Sequence, residues 1–389
     1  MRSIAAQITA LAKGWFTRPG KSDQILHLLR RAPAGSLDKI LKIVDIPEVI
    51  RSLRDRDFGL RSDALDFLLR ERVHELSDDT LAAVISALHK GPTPRRSQEA
   101  IVEVLTSRNN DDFLRLKSRI NNTADHHNLE HLVFEDLDED LAERLLAHIA
   151  AESNGQGRKD LRILCDIDDT LKSAIHDRRY PRGTIYPGVV SFLHHLDDGA
   201  AEAPDRPGDL TFVTARPEGP RGLIEQYTRG SLDGLGLPPH TVMGGSVLNL
   251  NTRGAIKDRK LENMRRNREL FPDARTIFIG DSGQADGEVG AEAHRRHPRH
   301  IVGTLLHNVT DMDDEERADW AVKGVYVFDT YAGAAAHALQ LGLIRKDQAL
   351  AIAEDVRLGL ETFSIEPEHR SRLMSLLEED IRRIEATNC

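Results

Sequence analysis

The sequence predicts an α/β domain built on a parallel sheet, preceded by an all-α helical domain. Leu, Ile and Val recur at helical spacing from about residue 20 to residue 150. Beyond residue 160, short apolar runs alternate with helical patterns, which is typical of βαβ units and a parallel sheet. The 389 residues are enough for two or three domains.

Residues 1–151 are predicted to be helical, either as a bundle or as HEAT-like helix pairs. Breaks at Pro33, Gly91 and Pro92 separate segments that begin with Ser or Asp at N-cap positions. One of these segments, SLDKILKIVDIPEVIRSLRD over 36–55, keeps helical spacing along its whole length. We expect this domain to bind a protein partner or a membrane.

A polar, glycine-containing linker over 152–160 leads to the α/β domain, predicted over 161–345, and residues 346–389 are predicted to form C-terminal helices. Strand patterns occur in RILCDID, DLTFVTA, HTVMGG, RTIFIGD, HIVGTLL and VYVFDT. Acidic or hydroxyl residues follow the first, second and fourth of these strands. Because ligands bind at the carboxyl ends of parallel strands, we expect the three loops to converge on one crevice.

The composition favours a soluble globular protein, with 40% hydrophobic and 30% charged residues. The net charge of −10 argues against nucleic-acid binding as the main task, because phosphate backbones require a basic surface. The two cysteines, Cys165 and Cys389, do not indicate a disulfide scaffold and favour a reducing compartment. We therefore expect a cytoplasmic protein, with peripheral membrane contact as a further expectation.

Four short motifs bring reactive side chains to this domain in order. They supply Asp166, Asp168 and Thr170 in DIDDT, Thr214 in FVTAR, Lys260 in a helical segment, and Asp281 and Asp286 in GDSGQAD. Clustered carboxylates after an apolar strand cost free energy unless a cation or separate chemical roles compensate. Lys257 lies three residues before Lys260, and the order of the motifs alone does not decide which of the two lysines belongs to the set.

These motifs resemble those of the haloacid dehalogenase-like phosphatase superfamily, which implies a Rossmann-like core. The resemblance implies that Asp166 attacks phosphorus to form an aspartyl-phosphate, and that Asp168 protonates the leaving oxygen and then activates water. Thr214 and Lys260 would hold the phosphoryl oxygens. The implied cofactor is Mg²⁺, held by Asp166, the backbone carbonyl of Asp168 and Asp281, with Asp286 as a further or outer ligand.

A closer resemblance is to the catalytic domain of the actin-patch-associated phosphatidate phosphatases, which are related to lipins. It rests on DIDDTLK, YPGVVSFLHHL, KLENMRRNRELFP, GDSGQADGE and YAGAAAHALQLGLI, within about Leu161 to Ile344. It implies phosphatidate or a related phospholipid as substrate and selects Lys260 over Lys257. One departure is the missing aromatic after Pro217. Arg216 and Arg221 stand near this point, and an arginine there could bind a phosphate or polar headgroup.

The same sequence is also compatible with other functions. A phosphatase for a soluble phosphometabolite or phosphoprotein fits the same motifs, and a lipid-binding scaffold would use the fold without catalysis. HNLEH, His127 to His131, matches an inverted zinc-protease pattern, with a solvated helix face as the default. The stretch from Asp311 to Trp320 is interpreted as an N-capped acidic helix in preference to a calcium loop.

Overall fold

The computed structural model of the chain divides into two compact units, Met1–Gly155 and Gln156–Cys389. It describes residues 1–13, 20–54, 60–91, 93–122, 128–153, 161–201, 209–217, 232, 234–245 and 252–387, without the side chains of 214–217 and 244–245. Within these ranges, no helix combines the length and the apolar character needed to cross a bilayer.

The regular elements of the first unit are helical wherever the structure describes it. The α-helices are α1 (Arg2–Ala12), α2 (Lys21–Arg30), α3 (Leu37–Leu41), α4 (Ile46–Ser52), α5 (Ser62–Asp66), α6 (Asp78–Leu88), α7 (Arg95–Thr106), α8 (Asn110–Asn121), α9 (Leu129–His131) and α10 (Glu139–Ser153). Two π-helical segments, Phe67–Glu71 and Leu132–Asp136, and a 3-10 turn, Val73–Glu75, complete them. Apolar side chains on the inner faces of these helices are buried.

The segment over 36–55, predicted as one helical stretch, is divided in the structure into α3 and α4. The Asp45 side chain accepts a hydrogen bond from the Glu48 N–H at 2.9 Å and so caps α4. Pro47 lies in the first turn of α4, where its missing N–H costs nothing, whereas the same proline inside a continuous helix would break a backbone hydrogen bond. The helix therefore restarts here although the apolar spacing continues.

The second unit contains a six-stranded parallel sheet, which confirms the predicted α/β class. Its strands are β1 (Leu161–Cys165), β2 (Leu210–Pro217), β3 (His240–Gly245), β4 (Arg275–Asp281), β5 (Ile301–His307) and β6 (Val325–Phe328). Their order across the sheet is β3-β2-β1-β4-β5-β6. Strands β2 and β3 lie on one side of β1, and β4, β5 and β6 lie on the other side. The strand order therefore reverses between β1 and β4, and parallel sheets bind ligands at the carboxyl ends of the strands at such a point.

Helices cover this sheet so that its central strand is buried on both faces. They are α11 (Val189–Asp198), α12 (Arg253–Leu270), α13 (Asp286–Arg296), α14 (Asp314–Ala321), α15 (Tyr331–Gln340), α16 (Lys346–Thr362) and α17 (Pro367–Ala386). Ile163 of β1 lies in one core cluster with Ile352 of α16 and Leu377 of α17. Leu164 belongs to a second cluster with Met264 of α12. The C-terminal helices thus share the main core of the sheet.

Candidate active site

Asp166 is the first residue beyond β1, and it lies between the two central strands. Its backbone N–H donates to the Ile279 carbonyl of β4 at 2.9 Å, which holds the residue at the carboxyl edge of the sheet. The residue is only 4% exposed. Oδ1 accepts a hydrogen bond from Lys260, whereas Oδ2 has no hydrogen-bond partner among the described residues. Burial raises the pKa of Asp166 to about 7, although the charge of Lys260 opposes this shift.

Lys260, on α12, is the cation of this cluster. Its side chain is fully buried, and Nζ donates to Asp166 Oδ1 at 2.8 Å and to Asp286 Oδ1 at 2.5 Å. Burial disfavours the ammonium, but the two carboxylates outweigh it and raise the pKa of Lys260 above its usual range. Lys257 is half-buried and pairs with none of the described residues. The structure therefore brings Lys260, and not Lys257, to the carboxylates.

Asp281 ends β4, and Asp286 begins α13 after a tight loop. Asp281 Oδ1 accepts from the Gly283 N–H at 2.8 Å, and Asp286 Oδ2 accepts from the Asp281 N–H at 3.2 Å. A Cβ at Gly280 would lie 2.4 Å from Asp286 Oδ2, so only glycine leaves room for this carboxylate. Burial, followed by the charges of Asp286 and Asp166, raises the pKa of Asp281 well above its ordinary value.

The three carboxylates form a donor set that fits a hard divalent cation. Asp166, Asp281 and Asp286 are all buried, and each offers an oxygen within 4.8 Å of the others. With all three ionised and Lys260 protonated, the four side chains carry a net formal charge of about −2, which a divalent cation would balance. Carboxylate oxygen is the ligand that Mg²⁺ prefers. Asp166 Oδ2 is buried without a hydrogen-bond partner among the described residues, so the charge of this cluster is incompletely balanced by the protein itself.

Asp168 and Thr214, the other two predicted residues, are defined less fully by the structure. Asp168 is half-buried on the loop after β1 and forms a β-bridge with Lys172. The backbone of Thr214 continues β2 two residues beyond Phe212, which pairs with Cys165 of β1. The Thr214 side chain lies outside the described part of the structure, as does that of Arg216, and Arg221 lies wholly outside it.

Asp169 is a structural residue that sequence reasoning missed. It adopts a left-handed backbone with φ of 58°, and its fully buried carboxylate accepts three successive backbone N–H groups. These are the N–H groups of Ala174 at 2.7 Å, Ile175 at 3.0 Å and His176 at 2.6 Å. Burial alone would raise the pKa of Asp169, but these hydrogen bonds lower it. The tolerance of aspartate for φ > 0 is the signal that could have identified it.

Two buried side chains support this loop from neighbouring elements. His307, at the end of β5, donates from Nδ1 to the Asp169 carbonyl at 2.8 Å, because a carbonyl can only accept. Burial, followed by the charge of Arg179, lowers the pKa of His307 to about 4, so neutral Nε2 accepts from Arg179 at 3.0 Å. Tyr331, in α15, donates its hydroxyl to the Thr170 carbonyl at 2.6 Å. The loop is thereby held from both sides.

The structure describes parts of two further sequence patterns, the zinc-protease-like HNLEH and the acidic stretch from Asp311 to Trp320. His131 lies in α9, and its Nδ1 is 2.9 Å from Asp136 Oδ2. The prediction of a solvated helix face for HNLEH is therefore wrong for His131. His127 lies outside the described residues. In α14, Asp313 and Glu316 form a capping box, which agrees with the acidic-helix interpretation.

Comparison with known proteins adds one match. Residues 161–308, from the start of β1 to the residue after β5, match the family model described as phosphatidate phosphatase APP1, catalytic domain. This match confirms the family resemblance. It covers less than half of the chain but includes all six predicted site residues, and it supports a phosphatase enzyme. No curated protein and no solved structure matches the chain.

Proposed function

We propose that this protein is a Mg²⁺-dependent phosphatidate phosphatase with a haloacid dehalogenase-like core, acting through an aspartyl-phosphate on Asp166. The family match supports phosphatidate phosphatase activity and so a phosphorylated lipid as substrate. The observation that carries the proposal is the environment of Asp166, a buried carboxylate with one oxygen bound by Lys260 and the other without a hydrogen-bond partner in the described structure.

In the first step, Asp166 Oδ2 attacks the phosphorus of the substrate. The new P–O bond forms as the bond to the glycerol oxygen breaks, and Asp168 donates its proton to that leaving oxygen. Diacylglycerol leaves, and the phosphoryl group stays on Asp166. The Lys260 hydrogen bond holds Oδ1 and leaves Oδ2 without a hydrogen-bond partner in the described structure, as a nucleophile requires.

In the second step, Asp168 acts as a general base. Its carboxylate removes a proton from water, the water oxygen attacks phosphorus, and the bond to Asp166 breaks with release of inorganic phosphate. Asp168 is half-buried on the loop after β1, where a proton can be exchanged with solvent. Each acid then returns to its starting protonation state.

Positive charge at the site stabilises the transferring phosphoryl group. Lys260 has three N–H donors and gives two of them to Asp166 and Asp286, which leaves the third for a phosphoryl oxygen. We propose the Thr214 hydroxyl as a second donor at the end of β2. When bound by Asp166, Asp281, Asp286 and the Asp168 carbonyl, Mg²⁺ would balance the carboxylate charge and that of the phosphoryl group.

Phosphate release from two substrates tests the proposal. Phosphatidate vesicles and a soluble aryl phosphate are incubated with wild type, with Mg²⁺ or with chelator. Asp166→Asn removes the nucleophile, and Asp258→Asn, at an exposed position of α12, is the matched control. We expect Mg²⁺-dependent release from the lipid by wild type and Asp258→Asn, with none by Asp166→Asn.

Each outcome has a distinct meaning. Release from the aryl phosphate alone would keep the mechanism and replace the lipid by a soluble ester. Release by Asp166→Asn at the wild-type rate would refute Asp166 as nucleophile. Absence of release from both substrates by folded wild type would refute catalysis on phosphomonoesters of this kind and favour the lipid-binding scaffold.

We further propose peripheral membrane contact and a binding role for the helical region over 1–151. The full chain is expected to sediment with vesicles that contain phosphatidate and to remain in solution with vesicles of neutral lipid. Equal sedimentation with both, or with neither, would contradict headgroup-dependent contact.

A further inference from the structure

A second cluster of metal-ligating side chains lies in the first unit. His89 follows α6, His131 ends α9, and Asp136 ends the π-helical segment. The Nδ1 atoms of His89 and His131 lie 2.8 Å and 2.9 Å from the same atom, Asp136 Oδ2. All three ligand atoms lie within 4.8 Å of one another. Two imidazoles therefore converge on one carboxylate oxygen.

The π-helical segment is what brings His131 and Asp136 together. The Leu137 N–H donates to the Leu132 carbonyl, five residues earlier, at 3.0 Å. In an α-helix, residues five apart are rotated by about 140° around the axis and do not meet. The wider π-turn aligns them, and such turns occur frequently at functional sites. The Asn128 side chain fixes the start of this turn by accepting the His131 N–H at 3.0 Å.

The cluster is buried at His89 and partly exposed at His131 and Asp136, and its charge suits a cation. The His89 side chain is 0% exposed and that of Asp136 is 14% exposed. Burial alone would lower the pKa of His131, but Asp136 raises it, and Glu130 and Glu135 add to the effect. The surroundings of the imidazoles are therefore negative, and a positive ion among them is stabilised by the same charges.

We propose that His89 Nδ1, His131 Nδ1 and Asp136 Oδ2 form a binding site for a transition metal of the zinc class. Imidazole nitrogen with one carboxylate oxygen is a donor set that zinc commonly uses. Tetrahedral coordination with bonds of about 2.0–2.2 Å separates neighbouring ligand atoms by about 3.4 Å. The pairs at 2.8 Å and 2.9 Å need to open by only about half an ångström, which side-chain rotation provides.

The metal would have a structural role that is independent of the phosphatase reaction. It would fasten the end of α6 to the turn formed by α9 and the π-helical segment, which the chain connects only through a long intervening stretch. In this arrangement a proton on each Nδ1 now makes the contact with Asp136. A metal replaces both protons by accepting the lone pairs of all three ligands.

Zinc and cobalt binding by the full chain tests this proposal. The chelator-treated protein is titrated with Zn²⁺ by calorimetry and with Co²⁺ by visible absorption, in excess Mg²⁺ to occupy the carboxylates of the second unit. His131→Asn is the decisive variant, because its amide can still donate to Asp136 but is a poor metal ligand. Asp281→Asn, which alters only the other cluster, is the control.

We expect wild type and Asp281→Asn to bind one Zn²⁺ and to give the intense cobalt spectrum of a tetrahedral site. His131→Asn should bind Zn²⁺ at least about 100-fold more weakly. Hydrogen exchange provides a second measurement, since Zn²⁺ should slow exchange over 128–137 in wild type and not in the variant. Binding that Asp281→Asn abolishes, or equal binding by His131→Asn, would overturn the proposal, as would the absence of zinc binding by wild type.

Discussion

Replacement of Lys260 by methionine tests the electrostatics of the candidate site directly. The ammonium is fully buried and lies 2.8 Å from Asp166 Oδ1 and 2.5 Å from Asp286 Oδ1. Methionine has a similar length but carries no charge, so Lys260→Met leaves three buried carboxylates without their cation. Lys257→Met, one turn earlier on α12, is the matched control because Lys257 pairs with none of the described residues.

The expected loss of stability follows from the cost of leaving a buried charge without its partner. Breaking a buried ion pair on one side costs about 3–5 kcal/mol. Lys260 pairs with two carboxylates, so the upper part of that range is expected in chelator. Added Mg²⁺ restores positive charge among the carboxylates, and the loss should then be smaller. Turnover should fall by about 10²–10³, as for removal of one donor to a charged transition state.

Hydrogen exchange of the central strands provides the assay. Amides in β1 and β4 are expected to exchange only when the second unit opens, so their rates report its free energy of unfolding without interference from the first unit. In chelator, Lys260→Met should speed this exchange by about 10³–10⁴, because each 1.4 kcal/mol is a factor of ten. Lys257→Met should stay within about 0.5 kcal/mol of wild type.

The result that would refute this reasoning is equally direct. Two results together would show that the ammonium does not balance the carboxylates. They are exchange of the amide hydrogens of Lys260→Met at the wild-type rate in chelator, and turnover of substrate by the variant at the wild-type rate in Mg²⁺. A larger effect of Lys257→Met than of Lys260→Met would reassign the lysine. Equal losses of stability with and without Mg²⁺ would mean that the ion does not bind among these carboxylates.

Three further predictions concern single residues. Burial raises the pKa of Asp166 from 3.8 to about 7, so its contribution to stability is fully present below about pH 4 and is lost as the pH rises through about 7. In chelator, Asp166→Asn should therefore be more stable than wild type above pH 7 in urea unfolding; a less stable variant would contradict the shift. Gly280→Ala places a Cβ 2.4 Å from Asp286 Oδ2 and should weaken Mg²⁺ binding at least about tenfold by calorimetry, whereas unchanged affinity would exclude Asp286 as a ligand. Asp38 accepts the Ser77 N–H at 2.9 Å and hydroxyl at 2.7 Å, and its hydrogen bonds outweigh burial and lower its pKa. Asp38→Asn should cost about 1.5–3 kcal/mol at pH 7, and this difference should shrink as the pH falls below about 4; a difference independent of pH would refute the role of the charge.

The sheet was predictable because its central strands, β1 and β4, are buried on both faces. Runs such as RILC and TIFI have no competing helical period, and each is followed by residues typical of a strand end. The division of 36–55 into two helices was missed because apolar spacing carries straight across Asp45 and Pro47. The capping and proline signals were present there, but the hydrophobic pattern is insensitive to a short interruption.

The site was predictable in its chemistry and less so in its geometry. Order and spacing put Asp166 and Asp281 at the carboxyl ends of two strands, and the structure shows that these two strands are neighbours. The order of the motifs alone did not separate Lys260 from Lys257, because both belong to one helix and only its packing buries Lys260 completely. The structural role of Asp169 was harder to predict, since aspartate tolerates a left-handed backbone but its three N–H donors depend on how the following loop folds back.

By itself, the sequence determined the class of fold, the succession of strands and helices, and the presence of carboxylates at the strand ends. These features follow from local patterns of burial and backbone preference, which a stretch of ten or twenty residues already contains. Only the tertiary structure decided the order of the strands, the pairing of Lys260 with Asp166 and Asp286, and the meeting of His89 with His131 and Asp136. Such contacts join residues far apart in the chain, and they depend on how whole elements pack against one another.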